Sequence, residues 1–589
     1  MSVRRGTTRL AGLALISALS ACGSDDAAGG SGGAPSGGGA AGMAWWRRHG
    51  GAAGSSGVAG SGGAAGSGGL PTLTSTVATC ADVTTPCASV DFAQSAHPIS
   101  PMLFGDGVEW QHFANGIFAP DASGVTAGAP RPAIMTELAK LGITQMRYPG
   151  GTLSDLFHWK EAVGPVASRL PQYTLDLDSA NVLQKELPNF GPDEFASFAD
   201  DLSMDILLTV NVGTGTAQEA ADWVAYWKGK GITPKYIEIG NEMYLPSPGG
   251  TVFPPMDPAL YGQKFDEYAK AIRAVEPNAK LGLIGTMDTT FWCAPNCTPE
   301  WNEQVLTNVK EKADFFAVHN AYAPGTTLDG QSVYEAMLAY PEFFRTTSSF
   351  IAQDVDFHAA TVNKGLPLAI TEHASFFLPT AGADPSTIIA EVERNQSWAS
   401  ALYSALDYQV MVSDPRIQIA NHINPVSWLW QAPVHVDLPD WSSYPDSYTP
   451  NPRVSSFGLV FQAFRELADQ KYVPVTLVGS PTHSTQPVGL IPELTDTPVL
   501  SAVAASGTDG HGWLLVVNRS LTDAVDFSFV LESATGATEL EIDRLASSDF
   551  HEDTAAWTPV EHGLLPEPGA TFGGKVSVPA ASLLRLRLR

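Results

Sequence analysis

Lys235-Tyr-Ile-Glu-Ile-Gly-Asn-Glu242 is an apolar run that ends in a carboxylate, and Pro367-Leu-Ala-Ile-Thr-Glu-His373 repeats that form farther along the chain. Each run has the length and branched apolar content of a buried parallel strand. A carboxylate just past such a strand stands where a (β/α)8 barrel keeps its chemistry. Glu242 and Glu372 are therefore candidates for a working pair. One carboxyl, protonated, donates to a leaving oxygen, and the other attacks carbon or activates a water, an arrangement that cleaves a glycosidic bond. Gly-Asn-Glu alone is unselective, because Asn after a strand is also an ordinary capping residue. The surroundings decide.

Working outward, eight strand candidates fall at 99–109, 143–148, 205–212, 236–240, 281–285, 315–319, 368–371 and 417–423. Segments 195–202, 218–228 and 260–275 between them carry apolar residues at helical spacing. Eight alternating units predict an α/β fold, a closed (β/α)8 TIM barrel over 99–450. Past 450 the texture changes to short strands at 500–506, 512–518, 525–530 and 582–588 separated by turn residues. That pattern predicts a C-terminal antiparallel β-sandwich over 451–589, joined by a strand near 88–95 from an N-terminal segment, 71–98.

The chain has 589 residues, 44% of them hydrophobic, enough for a large core and more than one domain. Its 33 basic against 61 acidic residues give a net charge of −28, which argues against nucleic acid or anionic lipid as partner and suits a neutral polysaccharide or a soluble exterior equally well. Arg4, Arg5 and Arg9 precede an apolar run, 10–19, too short to span a bilayer, which Leu19-Ser-Ala-Cys22 closes. This resembles a bacterial lipoprotein signal, residues 1–22, with Cys22 as the lipidated residue. The stretch 23–70, mostly Gly, Ala and Ser, reads as a flexible tether, interrupted by Trp45-Trp-Arg-Arg-His49, for which the sequence offers no physical account. The expected location is thus the bacterial envelope or surface, attached to the membrane only through the lipid. Cys80 with Cys87, and Cys293 with Cys297, form two close pairs suited to local disulfides in an oxidising compartment. Neither pair has further ligands at zinc-like spacing, so no metal and no cofactor are expected.

Met146-Arg-Tyr-Pro-Gly-Gly151, followed by His158-Trp159 and Val163-Gly-Pro165, resembles the second-strand signature of glycoside hydrolase family 51, the α-L-arabinofuranosidases. The resemblance continues through Asn189-Phe-Gly-Pro-Asp-Glu-Phe195, the selective stretch Val210-Asn-Val-Gly-Thr-Gly-Thr216, and Gly240-Asn-Glu242. It implies a barrel carrying a β-sandwich, and a retaining double displacement with Glu242 as acid/base and Glu372 as nucleophile. It also implies that Asn241 and Glu109 hold sugar hydroxyls, that His319 and Tyr322 line the sixth strand with Tyr322 orienting the nucleophile, and that Arg147 supports the nucleophile's charge. For Arg147 a purely structural ion pair is an equal alternative.

Three positions depart from the family pattern. Thr152 stands where Asn usually follows Pro-Gly-Gly, Thr371 and His373 flank Glu372 where Asp and Trp are usual, and Asn421 replaces a sugar-contacting Gln. The sugar is thereby less fixed than the reaction class. A related retaining glycosidase on β-glucan or a glucuronide, or a non-catalytic glycan-binding lipoprotein, are the alternatives. Trp428, Trp430, His97, His112 and His158 read as packing or structural residues, and Gly213-Thr-Gly215 lacks the spacing of a phosphate loop.

Overall fold

The structure is a computed structural model that describes residues 70–119, 128–176, 179–287, 300–380, 382–440, 444 and 446–589. Cys22, the tether with its Trp45-Trp46 insert, Cys293 and Cys297 lie outside the described residues, as does the side chain of Tyr322. Eight parallel strands close into a barrel: β1 Gly105–Gly107, β2 Gln145–Tyr148, β3 Asp205–Val210, β4 Tyr236–Ile239, β5 Lys280–Ile284, β6 Phe315–Thr326, β7 Leu368–Phe377 and β8 Ile417–His422. β8 meets β1 through Asn421 opposite Gly105 and His422 opposite Asp106, which completes the ring.

All eight expected strands are present, with instructive differences in extent. β1 is only three residues long, because Pro98 and Pro101 cannot donate to a ladder. Pro101–Leu103 instead winds into a 3-10 turn capped by the Ser100 hydroxyl, which accepts from the Met102 N–H. β6 and β7 run farther than their apolar cores predict and slip register against each other between Val318 and His319 and again beyond Asn320. The outer helices include Pro192–Asp201, Ala217–Gly229 and Pro258–Val275. Two begin with Pro in the first turn, and Thr216 and Asp257 cap theirs by accepting backbone N–H groups.

The antiparallel accessory region is a sandwich of a seven-stranded and a four-stranded sheet. Phe527, Phe529 and Leu531 from the smaller sheet share a core with Leu514, Val516, Leu584 and Leu586 from the larger. Cys87–Asp91 joins the smaller sheet, parallel to Val525–Glu532. A Cys80–Cys87 disulfide staples the entry to that strand. The sandwich is fixed to the barrel by Trp398 Nε1 donating to the Ala581 carbonyl, 2.6 Å, and by a 2.8 Å ion pair between Arg519 and Glu342.

Candidate active site

The site is built at the C-terminal ends of the barrel strands. On β4 the sequence Tyr-Ile-Glu-Ile puts Ile237 and Ile239 in the main apolar core and leaves Glu238 between them, completely buried. Gly240 then adopts φ +84°, a left-handed turn that glycine takes without strain, and the chain leaves the strand with Asn241 and Glu242 at the barrel mouth. Asp155 fixes this turn from below. Its Oδ2 accepts the Asn241 N–H at 2.9 Å, while its Oδ1 accepts those of Val212 and Gly213 at 2.8 and 3.3 Å. The Gly213-Thr-Gly215 loop therefore gives its first amide to a carboxylate of this chain and the next two to Asn211 Oδ1. Burial pushes Asp155 up to about 6, against the pull of those three amides.

Arg147, at the second-strand position, distributes its guanidinium among three partners. Nε donates to Glu238 Oε2 at 2.7 Å, Nη1 to Glu372 Oε1 at 2.7 Å and Nη2 to Asn241 Oδ1 at 2.6 Å. Burial works against its charge, yet Glu238 and then Glu372 hold its pKa above the ordinary value. Arg147 is thus both an ion pair and a direct contact of Glu372, the two roles between which the sequence did not choose.

His319 on β6 touches both expected catalytic carboxylates. Its Nδ1 lies 3.0 Å from Glu242 Oε1 and 3.6 Å from Glu372 Oε2. Those two oxygens are therefore no farther apart than the two distances end to end. That suits the roughly 5–5.5 Å spacing of a retaining pair and reaches only the lower edge of the roughly 6.5–9.5 Å of an inverting one. Burial alone would raise Glu242 and lower His319. The contact between them outweighs it, and with the Tyr244 hydroxyl, which donates to Glu242 at 3.0 Å, holds Glu242 below the ordinary carboxylate range. The carboxylates of Glu372 and Glu242 raise His319 above its usual value. The opposed directions favour a Glu242 carboxylate paired with a protonated His319.

Glu109 completes the cluster beyond β1. Its Oε2 accepts from Gln111 Nε2 at 2.6 Å, and Gln111 Oε1 in turn accepts the Thr174 hydroxyl. Burial first, and the charge of Glu372 in addition, push Glu109 up to about 7. Gly151, at φ +67°, makes room for it: a Cβ there would stand 2.6 Å from Glu109 Oε1. Thr152 opens the short 3-10 turn after this glycine and is half-buried.

The remaining residues singled out in the sequence have these positions. Asn421 is fully buried in the barrel wall, its Nδ2 donating to the Asp106 carbonyl at 2.8 Å and its Oδ1 beside Gln145 Nε2 at 3.5 Å. Tyr322 belongs to β6. His373 faces away from Glu372 into a wholly buried layer, edge-on to Tyr408 and His422, and burial drops its pKa well below the usual value. Trp430 stacks on Phe376, and Trp428 packs edge-on to Tyr444 and Tyr448. His97 contacts the Val412 carbonyl and His158 the Glu219 carboxylate, both structural roles, as expected. Sequence reasoning missed Glu238, Asp155, Gln111 and Tyr244. A lone Glu between two Ile in a buried strand was the available signal for the first; Asp155 had none.

Residues 137–320, which carry Arg147, Glu238, Glu242 and His319, match the α-L-arabinofuranosidase 1 domain. Over 525 residues the chain is 26% identical to an intracellular exo-α-(1→5)-L-arabinofuranosidase of Bifidobacterium longum, spanning 82% of this chain and 87% of that protein. It is 25% identical over 482 residues to an exo-α-(1→6)-L-arabinofuranosidase of the same organism, spanning 77% and 86%. Among solved structures, the arabinose complex of the Thermotoga maritima α-L-arabinofuranosidase shares the fold with a TM-score of 0.69 at 19% identity, covering 86% of this chain and 100% of that one. A family 44 xyloglucanase of Paenibacillus polymyxa reaches 0.53 at 12% identity, with 86% and 100% covered. A closed barrel with this carboxylate cluster at its mouth, and these relatives, define a (β/α)8-barrel glycoside hydrolase. Within that class the chain is similar to the family 51 α-L-arabinofuranosidases.

Proposed function

We propose that this protein is a retaining, exo-acting α-L-arabinofuranosidase that removes side-chain sugars from plant polysaccharide by double displacement. The observation that carries the reading is the single His319 nitrogen within reach of both Glu242 and Glu372, which supports a spacing short enough for direct attack. Glu372, oriented by Arg147, attacks the anomeric carbon and forms a glycosyl ester. The proton held between His319 and Glu242 passes through Glu242 to the leaving oxygen as that bond breaks. Glu242, again a carboxylate, then takes a proton from the water that hydrolyses the ester. Asn241 and Glu109 hold the sugar. A carboxyl at Glu109 that titrates near 7 can donate as well as accept a hydrogen bond. Glu242, Glu372 and Glu109 are each less than a tenth exposed, a recessed pocket that favours a chain end over an internal bond.

The engagement of Asn421 by the barrel wall favours one secondary reading, a donor subsite fitted to a different glycoside such as a β-glucan. Aryl glycosides offered to the fragment from Leu70 onward separate the two: turnover of the arabinofuranoside supports the first, turnover of a hexoside alone the second. Silence across all of them favours a glycan-binding protein. We further propose export and a lipid anchor at Cys22, a location with which the Cys80–Cys87 disulfide is consistent. Palmitate labelling that persists in a Cys22→Ser variant contradicts the anchor.

A further inference from the structure

We propose that Glu238 is a positioning residue for the nucleophile, holding Arg147 so that the guanidinium orients Glu372 while sharing its charge. The inference rests on the glycosidase reading above. Glu238 sits on β4 before the Gly240 turn that carries Glu242, and three donors meet its carboxylate: Arg147 Nε at 2.7 Å and the Thr209 hydroxyl at 3.0 Å on Oε2, and the Thr371 hydroxyl at 2.7 Å on Oε1.

The Thr371 bond is the unusual one. β7 and β4 are not neighbours in the barrel, since β5 and β6 stand between them, so this bond crosses the interior. Barrel interiors are normally filled by branched apolar side chains, and a buried carboxylate is costly unless every lone pair is met. Thr371 reaches inward because the register slips beside it. Val318 faces Ile370 but His319 faces Glu372, so β7 carries one extra residue. Such a bulge re-aims side chains. Two consecutive residues, Thr371 and Glu372, can thus both contact the cluster around Arg147. Glu238 thereby couples β2, β3, β4 and β7 through one group.

The electrostatic consequence follows from the counts of charge. Arg147 faces two carboxylates, Glu238 and Glu372, and Glu238 is the stronger of the two in holding its charge. With Glu238 in place, Glu372 receives the Arg147 Nη1 hydrogen bond and only part of that arginine's charge. Without its charge, Glu372 becomes the main carboxylate facing the guanidinium, a better-stabilised and poorer nucleophile, and Nε loses its charged partner.

The test is Glu238→Gln, which keeps the volume and removes the charge. At equal folded concentration kcat should fall at least about tenfold with KM nearly unchanged. The acid limb of the kcat/KM profile should move down by roughly one pH unit, as an unshared arginine stabilises the carboxylate. A merely structural Glu238 would lower the melting temperature and leave kcat and the limb in place, and that result overturns the proposal. Should this variant not fold, Thr371→Val and Thr209→Val, which each remove one donor and leave more of the Glu238 charge to Arg147, should shift the limb the opposite way and by less; unshifted limbs in both overturn it. If the wild-type protein hydrolyses no glycoside, the functional reading fails separately. A crystal structure of Glu238→Gln then decides: an Arg147 whose Nε has left residue 238 and whose guanidinium has turned further onto Glu372 upholds the positioning role, and an Arg147 unmoved overturns it.

Discussion

Nδ1 of His319 stands 3.0 Å from Oε1 of Glu242 and 3.6 Å from Oε2 of Glu372, so one imidazole serves both carboxylates. His319 is raised above 6.5, so its stabilising contribution is complete below that pH and is lost as pH climbs through the raised value. Glu242 is lowered from 4.5, so its contribution is present above that pH and is lost as pH falls through the lowered value. The two windows overlap between 4.5 and 6.5. The stability lost in His319→Gln, measured by denaturant titration, should be greatest there and shrink on both sides. A deficit independent of pH contradicts the pairing.

Glu109 predicts a one-sided effect. Its folded value of about 7 lies above the ordinary 4.5, so the folded state binds the extra proton and stability declines as pH rises through that interval. The loss on ionising it is at most on the order of 3 kcal/mol. Glu109→Gln should remove this decline and raise KM. A slope of stability with pH identical to wild type over that range would contradict it.

Gly151→Ala places a methyl 2.6 Å from Glu109 Oε1 in a backbone at φ +67°. We expect a stability loss of about 1–2 kcal/mol from the left-handed conformation and an increase in KM as Glu109 is displaced. Thermal melts and Michaelis kinetics check both.

Arg147→Lys replaces a fork that meets three partners with a single ammonium. Leaving buried carboxylates underpaired should cost about 3–5 kcal/mol and abolish measurable turnover. A stable, active lysine variant would show that the guanidinium geometry is dispensable.

Much of this fold is legible in the chain, because parallel barrel strands are buried on both faces and stand out as apolar runs. The sandwich strands at 500–506, 512–518 and 582–588 emerge with the same bounds in the structure. What could not be read depends on pairing. The bulge at Thr371 exists only in the register of β7 against β6, so alternation along the sequence cannot announce that two successive residues reach the interior. Asp155 shapes the Asn241 turn from a 3-10 turn remote in sequence. Asn421 aligned with a sugar-binding position, yet the short β1, with glycine at 105 opposite it, leaves its amide for the Asp106 carbonyl.

The central claim is a retaining pair formed by Glu242 and Glu372. Proton NMR of an aryl α-L-arabinofuranoside during hydrolysis reports the first anomer released, for wild type and for Glu372→Gln. The account predicts that wild type releases the α-anomer before mutarotation, and that Glu372→Gln loses roughly 10³-fold or more in rate. First release of the β-anomer, or a Glu372→Gln variant near wild-type rate, would contradict it.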